Sequence, residues 1–399
     1  MPGPPGSRHP DGVPADRPAP TSRLPLRVVI AGGGFAAVEA MLALRELCGP
    51  RARLTVVSPR PTFDFRPSAT IEAFSDAPPM RYDLRELAAG VGATYRRDAI
   101  AAVAPAARRA RLTSFAQLSY DALVLAVGAR PHASVPGAIT FRDQRDVPHV
   151  RRVLREVESG AVRRLVFAVP AGVSWPLPLY ELALMAAARA DAEGQDVDVL
   201  VVSPERTPLE AIGSQGSALL ARLLAQRGVR FMGRTVPAAV HRENRLELHF
   251  AGSLEADRVV SVPALLGRRI AGVPASWNGF VPVDAHGRVA FVKRVYAAGD
   301  MTMFPLKQGG LATQQANVIA RAIAAVLGGR VEPPPAPPVL QLRLIGGESP
   351  LSLRVALDEH GRPGDTELVA GGTQAAPVAE KVLSVHLSRY LAGRNLAAA

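Results

Sequence analysis

The sequence predicts an α/β fold built on parallel sheets, and three observations predict it. An apolar run from Leu26 to Ala31 passes through Gly32-Gly33-Gly34 into a helical pattern at Val38, Met41, Leu42 and Leu44. A second run, Leu123-Val124-Leu125-Ala126-Val127, ends at Gly128, and a third, Val295-Tyr296-Ala297-Ala298, ends at Gly299-Asp300. Strands that finish in a glycine turn and hand over to a helix are the units of a doubly wound sheet, and they present ligands at the strand ends.

The first turn has the chemistry of a phosphate site. Gly32 allows a tight turn, Gly34 lets backbone approach a diphosphate, and Ala37 lets helix and strand pack. Phe35 and Ala36 open the helix, whose free N–H groups and positive dipole end face the anion. The acid expected about 20 residues after such a turn, to hold a ribose, is replaced by Ser58. Ser58 can bond one hydroxyl, and Arg60 stands near the phosphate edge. At the third strand end Asp300 offers a carboxylate to a sugar-chain hydroxyl while Gly299 admits the ligand. Lys307-Gln308-Gly309-Gly310-Leu311 then opens a helix over residues 312–327, its N-terminus turned toward the same ligand.

In this order the three elements resemble the flavoproteins with two dinucleotide-binding domains. Val57-Ser58-Pro59-Arg60-Pro61-Thr62-Phe63-Asp64-Phe65-Arg66-Pro67-Ser68 and Phe304-Pro305-Leu306-Lys307-Gln308-Gly309-Gly310 narrow the resemblance to the sulfide:quinone-oxidoreductase-like branch, which neighbours the type II NADH dehydrogenases. The likeness spans residues 25–330, with a weaker echo from Leu344-Ile345-Gly346-Gly347 to Ser352-Leu353-Arg354 and in a final helix expected over 379–391. It implies two Rossmann-like domains, the second degenerate and inserted in the first, plus a small C-terminal α+β domain. The expected boundaries are a disordered tail at 1–24, an FAD-binding part at 25–142, a substrate-side domain at 143–264, the second FAD-binding part at 265–330, and a C-terminal domain at 339–399 behind the linker 333–338. It also implies FAD as cofactor, held by Gly32, Gly34, Phe35, Ala36, Ala37, Ser58, Arg60, Arg66, Pro67, Ala126, Gly128, Gly299, Asp300, Lys307, Gln308, Gly309, Gly310 and Leu311.

Departures from the family decide the chemistry. Sulfide:quinone oxidoreductases carry redox cysteines beside the flavin, whereas this chain has one cysteine, Cys48, late in the first helix and read as a small core residue. In Pro170-Ala171-Gly172-Val173-Ser174-Trp175-Pro176-Leu177-Pro178-Leu179-Tyr180-Glu181 the family's cysteine position falls on Trp175, so oxidation through a persulfide is not expected. Trp175 and Tyr180 are assigned to the substrate side of the flavin, or to the core. Where a nicotinamide dinucleotide needs a second glycine cradle, this segment keeps only Gly172 and carries prolines at 170, 176 and 178. The next strand, 199–202, ends in Ser203-Pro204-Glu205 with no acid at its tip for a ribose. Lys307 is the second catalytic candidate, as a positive group beside the flavin.

Other chemistries fail on spacing. The eight histidines show no metal pairing, and Ser174 lacks the closing glycine of a nucleophile elbow. The net charge of +12 comes from scattered arginines with no nucleic-acid module, while lysine occurs only at 293, 307 and 381. The apolar stretch 165–188 contains three prolines and Glu181, which excludes a membrane span. A cytoplasmic protein is expected, compatible with peripheral contact at the inner face of a membrane and with a homo-oligomer. The functional expectation is an FAD-dependent oxidoreductase that passes two electrons from a small donor to a quinone or other electron carrier without a redox disulfide. An NAD(P)H-dependent reductase and a flavin-binding partner protein that has lost catalysis are the alternatives.

Overall fold

The computed structural model describes residues 24–76, 78–242, 244–331, 334–346, 350–369, 381–382 and 384–398. The expected tail up to residue 23 and Pro333 of the expected linker lie outside them.

Two parallel sheets organise the molecule. In the first, β1 (Leu26–Ala31) pairs on one side with β2 (Ala52–Val57), which continues to β3 (Thr94–Arg96). On its other side β1 pairs with β4 (Ala122–Leu125), which pairs with Val295–Ala297 from much later in the chain. The second sheet is composed of residues from between those segments. β5 (Ile139–Thr140), Arg258–Ser261, β6 (Arg164–Ala168), β7 (Asp198–Val202) and Arg230–Met232 lie side by side in that order, all parallel. The second unit is therefore inserted in the first, and its central strands, β6, β7 and Arg258–Ser261, are near-continuous buried apolar runs because both faces are covered.

Helices follow the apolar periodicity. α1 (Phe35–Cys48) buries most of its surface between the first sheet and α4 (Gly309–Gly328), using Ala36, Ala37, Ala40 and Ala43 against Ala312, Ala316 and Ala320, so the two backbones come close. α2 (Val147–Glu158) buries Val147, Val150, Val153 and Leu154, the face the spacing defines, and three residues of 3₁₀ helix precede it. α3 (Leu177–Ala192) packs under the second sheet. Among the described residues no helix is long and apolar enough to cross a membrane.

A three-stranded antiparallel sheet of β8 (Val339–Leu344), β9 (Leu351–Leu357) and β10 (Pro363–Leu368) forms the C-terminal part with α5 (His386–Ala398). That helix begins at His386, within the span 379–391 that the sequence suggests, of which residues 379, 380 and 383 lie outside the described residues. Its N-terminal amides, Val385, His386 and Leu387, donate to the fully buried Glu39 of α1 at 3.1, 3.0 and 2.8 Å. A cap supplied from a residue some 350 positions earlier fixes the start, and no local pattern encodes it.

Candidate active site

The strand ends of both units open on one cavity of about 1040 Å³, at the upper end of the range for small-molecule sites. Its wall takes in the β1–α1 turn, the loop after β2, the turn after β4, the segment before α3, the Gly299–Lys307 stretch and the C-terminal residues Lys381 and Val382.

The glycines divide by what they face. Gly32 has φ +135°, and a Cβ there would lie 2.1 Å from the Ala126 carbonyl oxygen, so its smallness serves the contact between neighbouring strand ends. Gly34, extended at φ −101° and ψ −168°, would point a Cβ into open space, as would Gly128 and Gly172. All three line the cavity. Gly34 is also the residue at which α1 begins without any side-chain cap, which leaves its first amides for a ligand.

Of the expected site residues, Gly32, Gly34, Phe35, Ala36, Ser58, Arg60, Arg66, Pro67, Ala126, Gly128, Trp175, Gly299, Asp300, Lys307, Gln308 and Gly309 line the cavity. Ala37, Gly310 and Leu311 do not. Ala37 is 1% and Leu311 2% exposed within the core, because each sits past the first residues of its helix on the inward face. Of the two places open to Tyr180 the structure takes the core: on the inner face of α3 it is fully buried, donating to Glu205 Oε2 at 2.6 Å and accepting from the Leu209 amide at 3.2 Å.

Several side chains do other work than the sequence suggests. The Ser58 hydroxyl closes its own turn, donating to the Arg60 carbonyl at 3.1 Å and accepting from the Arg60 amide at 3.2 Å. Gln308 caps α4, its Oε1 accepting from Leu311 N at 2.9 Å while its Nε2 donates to the Gln341 carbonyl. The amides of Gly309 and Gly310 meet no protein acceptor among the described residues, so the positive end of α4 remains available. Asp300 is half-buried on the wall, and no protein hydrogen bond reaches its carboxylate among the described residues. Lys307 donates from Nζ to the carbonyls of Thr302 (2.5 Å) and Phe304 (2.7 Å) and lies 4.0 Å from the centre of the Phe280 ring. Burial pushes its ammonium down to about 8, against a smaller opposing pull from Asp300.

The sequence reading missed a buried ion pair on the same wall. Lys381 Nζ donates to Glu181 Oε2 at 2.8 Å and to the Pro67 carbonyl at 3.1 Å, and Thr70 donates to the same Glu181 oxygen at 3.0 Å. Both charged side chains are under 5% exposed. One signal was present: two of the three lysines in this arginine-rich chain, 307 and 381, line the cavity. Cys48 is 2% exposed in the α1 core, away from the cavity wall, and burial raises its thiol above the usual range. No cluster that could hold a metal ion occurs among the described residues.

Comparison with known proteins agrees with this geometry. The model of the family described as pyridine nucleotide-disulphide oxidoreductase matches residues 26–329. Similar solved structures include the sulfide:quinone oxidoreductase of the hyperthermophilic bacterium Aquifex aeolicus, with a TM-score of 0.77 and 20% identity over 87% of each chain. A ferredoxin reductase from Rhodopseudomonas palustris superposes with a TM-score of 0.65 at 20% identity, covering 89% of this chain and 86% of that one. An NAD-dependent persulfide reductase from A. fulgidus gives 0.61 at 18% identity, covering 84% and 65%. With more than half of its length matched by the family model, the chain belongs to the pyridine nucleotide-disulphide oxidoreductase family, as an FAD-dependent oxidoreductase whose single cysteine leaves it no internal redox disulfide.

Proposed function

We propose that this chain holds FAD in the cavity between its two units and passes two electrons from a small donor to a quinone or another electron carrier, with no cysteine taking part. The observation that carries the reading is the set of vacant hydrogen-bonding and steric positions on one wall. Among the described residues, Gly34 and Gly128 leave open space, the first amides of α1 and α4 meet no acceptor, and no donor reaches the Asp300 carboxylate. A flavin dinucleotide fits that set, because its diphosphate needs amides and its sugar chain needs an acceptor.

FAD, when bound, supplies the electron-transfer chemistry at its ring. The chain's own residues do the rest. Gly34 and the start of α1 seat the diphosphate, and Asp300 orients a hydroxyl. The N-terminus of α4 and the Lys307 ammonium make their side of the wall positive, which favours the negative charge a flavin gains on reduction. Trp175, half-buried, and Phe304 keep apolar surface on the second unit's side, excluding water where the family resemblance would place a cysteine.

The nicotinamide alternative is disfavoured by Glu205. This carboxylate stands three residues past β7, near where a ribose-binding acid would be needed, but Tyr180, Ser203 and the Glu210 amide occupy both of its oxygens. The decisive measurement is anaerobic mixing of the flavin-loaded protein with NADH, NADPH, sulfide and a reduced quinone, following the visible flavin band. Reduction by a quinol, with slow or absent reduction by NAD(P)H and sulfide, supports the proposal. Fast bleaching by NADH or NADPH selects the reductase, and a flavin that no donor bleaches selects the non-catalytic binding protein.

A further inference from the structure

Phe280 is 9% exposed and lines the cavity, yet it lies outside the apolar clusters that form the cores of both units. What its ring meets is a charge. Lys307 Nζ lies 4.0 Å from the ring centre, a range at which the negative face of an aromatic ring attracts a cation, most strongly where water is kept out.

The backbone around Phe280 is fixed from both sides. Its amide donates to Ser276 Oγ at 3.1 Å and its carbonyl accepts from the Ser276 amide at 2.8 Å, which closes a turn. Arg269 donates to the carbonyls of Ser276 and Trp277 at 2.9 and 2.6 Å, and a Cβ on Gly279 would lie 2.6 Å from the Gly267 carbonyl oxygen. The turn has little room to shift. Beyond it, the Val281 amide donates to the Met301 carbonyl at 2.8 Å, and the Val281 carbonyl accepts from the Met303 amide at 2.9 Å. Phe280 is thereby joined to the stretch whose Thr302 and Phe304 carbonyls accept from Lys307.

Ring and carbonyls form one cage around the ammonium. An ammonium has three donors, and two are spent on those carbonyls, which leaves one for the cavity. Among the described residues no carboxylate pairs with Lys307, and Asp300 acts on it only at longer range. The hydration lost on burial is therefore offset by a neutral ring and two dipoles. That choice of partner matters beside a redox group. A carboxylate in the same place would cancel the positive charge seen from the cavity, whereas a neutral ring holds the cation and leaves its charge whole.

We propose that Phe280 is a positioning residue for electron transfer: on the reading of the cavity as an FAD site, its ring keeps the Lys307 ammonium charged and in place at the wall, and so favours reduced over oxidised flavin.

The full chain is prepared as wild type, as Phe280→Leu, Lys307→Met and Phe280→Leu/Lys307→Met, and with pentafluorophenylalanine at position 280, which keeps the shape of the ring but reverses the charge of its face. In the FAD-loaded protein the two-electron potential is read against redox dyes. Phe280→Leu and the fluorinated ring should each cut the preference for reduced flavin about tenfold, a fall of about 30 mV for a two-electron couple. In the Lys307→Met background Phe280→Leu should change nothing more. In the FAD-free protein, labelling with acetic anhydride near neutral pH, read by mass spectrometry, follows each amine separately, with the exposed Lys293 as internal reference. The fluorinated ring should speed labelling of Lys307 about tenfold, because ammonium gives way to reactive free amine, and leave Lys293 as it was. An unchanged potential in the FAD-loaded fluorinated protein overturns the role of Phe280, as does a fall of equal size in the Lys307→Met background. Faster Lys307 labelling in a protein that never takes up FAD overturns the cofactor reading and leaves the cage around Lys307 standing.

Discussion

Gly34→Val and Gly32→Ala, two residues apart in one turn, should fail in opposite ways. At Gly34 the backbone is extended, φ −101° and ψ −168°, a conformation any residue adopts, and an added Cβ meets nothing within 4 Å. Valine there costs the folded chain only the lost preference for glycine at a helix start, about 1 kcal/mol. Its side chain projects into the cavity, however, over the amides proposed to hold the diphosphate. Displacing even one such charge-assisted bond costs about 1.5–3 kcal/mol, so FAD affinity should fall by roughly ten- to a hundredfold. At Gly32 the added Cβ lies 2.1 Å from the Ala126 carbonyl oxygen at φ +135°. Overpacking and the unfavourable backbone together cost about 2–5 kcal/mol, whether or not cofactor is present. Thermal unfolding of the FAD-free variants, beside fluorescence titration with FAD, separates the two. Full flavin occupancy in Gly34→Val, or a Gly32→Ala protein as stable as wild type, would refute the argument.

Asp300→Ala should weaken FAD binding by about tenfold or more, since a charge-assisted bond of this kind contributes about 1.5–3 kcal/mol; unchanged affinity in the same titration would make the Gly299-Asp300 pair a turn and nothing else. The FAD-free protein should gain stability from Lys307 as pH rises from about 8 to 10.5. Its folded value lies below the unfolded one, so the unfolded chain binds the extra proton across that window, and denaturant midpoints for Lys307→Met should lack the gain. Lys381→Met should destabilise by about 3–5 kcal/mol because it strands the buried Glu181 carboxylate, and Glu181→Gln/Lys381→Met should recover part of that loss in urea unfolding. Cys48→Ser should leave the rate of flavin reduction by every active donor unaltered in stopped-flow measurements, because the thiol lies in the α1 core.

By itself the sequence determined the parallel α/β class, the three glycine-ended strands and the helices that follow the first and third of them, because apolar periodicity and strand-to-helix turns are local signals read within about a dozen residues. It also determined that no internal disulfide chemistry is available, since one cysteine has no partner. Only the tertiary structure decided which side of each residue faces the ligand. Gly32 and Gly34 look alike in the chain, yet one meets the Ala126 carbonyl and the other open space. Tyr180 and Trp175 stand five residues apart, yet one is locked to Glu205 in the core and the other lines the cavity. The Glu181–Lys381 pair and the Glu39 cap on α5 join residues 200 to some 350 positions apart. Such contacts depend on how the second unit and the C-terminal strands close over the first, and no pattern along the chain records that closure.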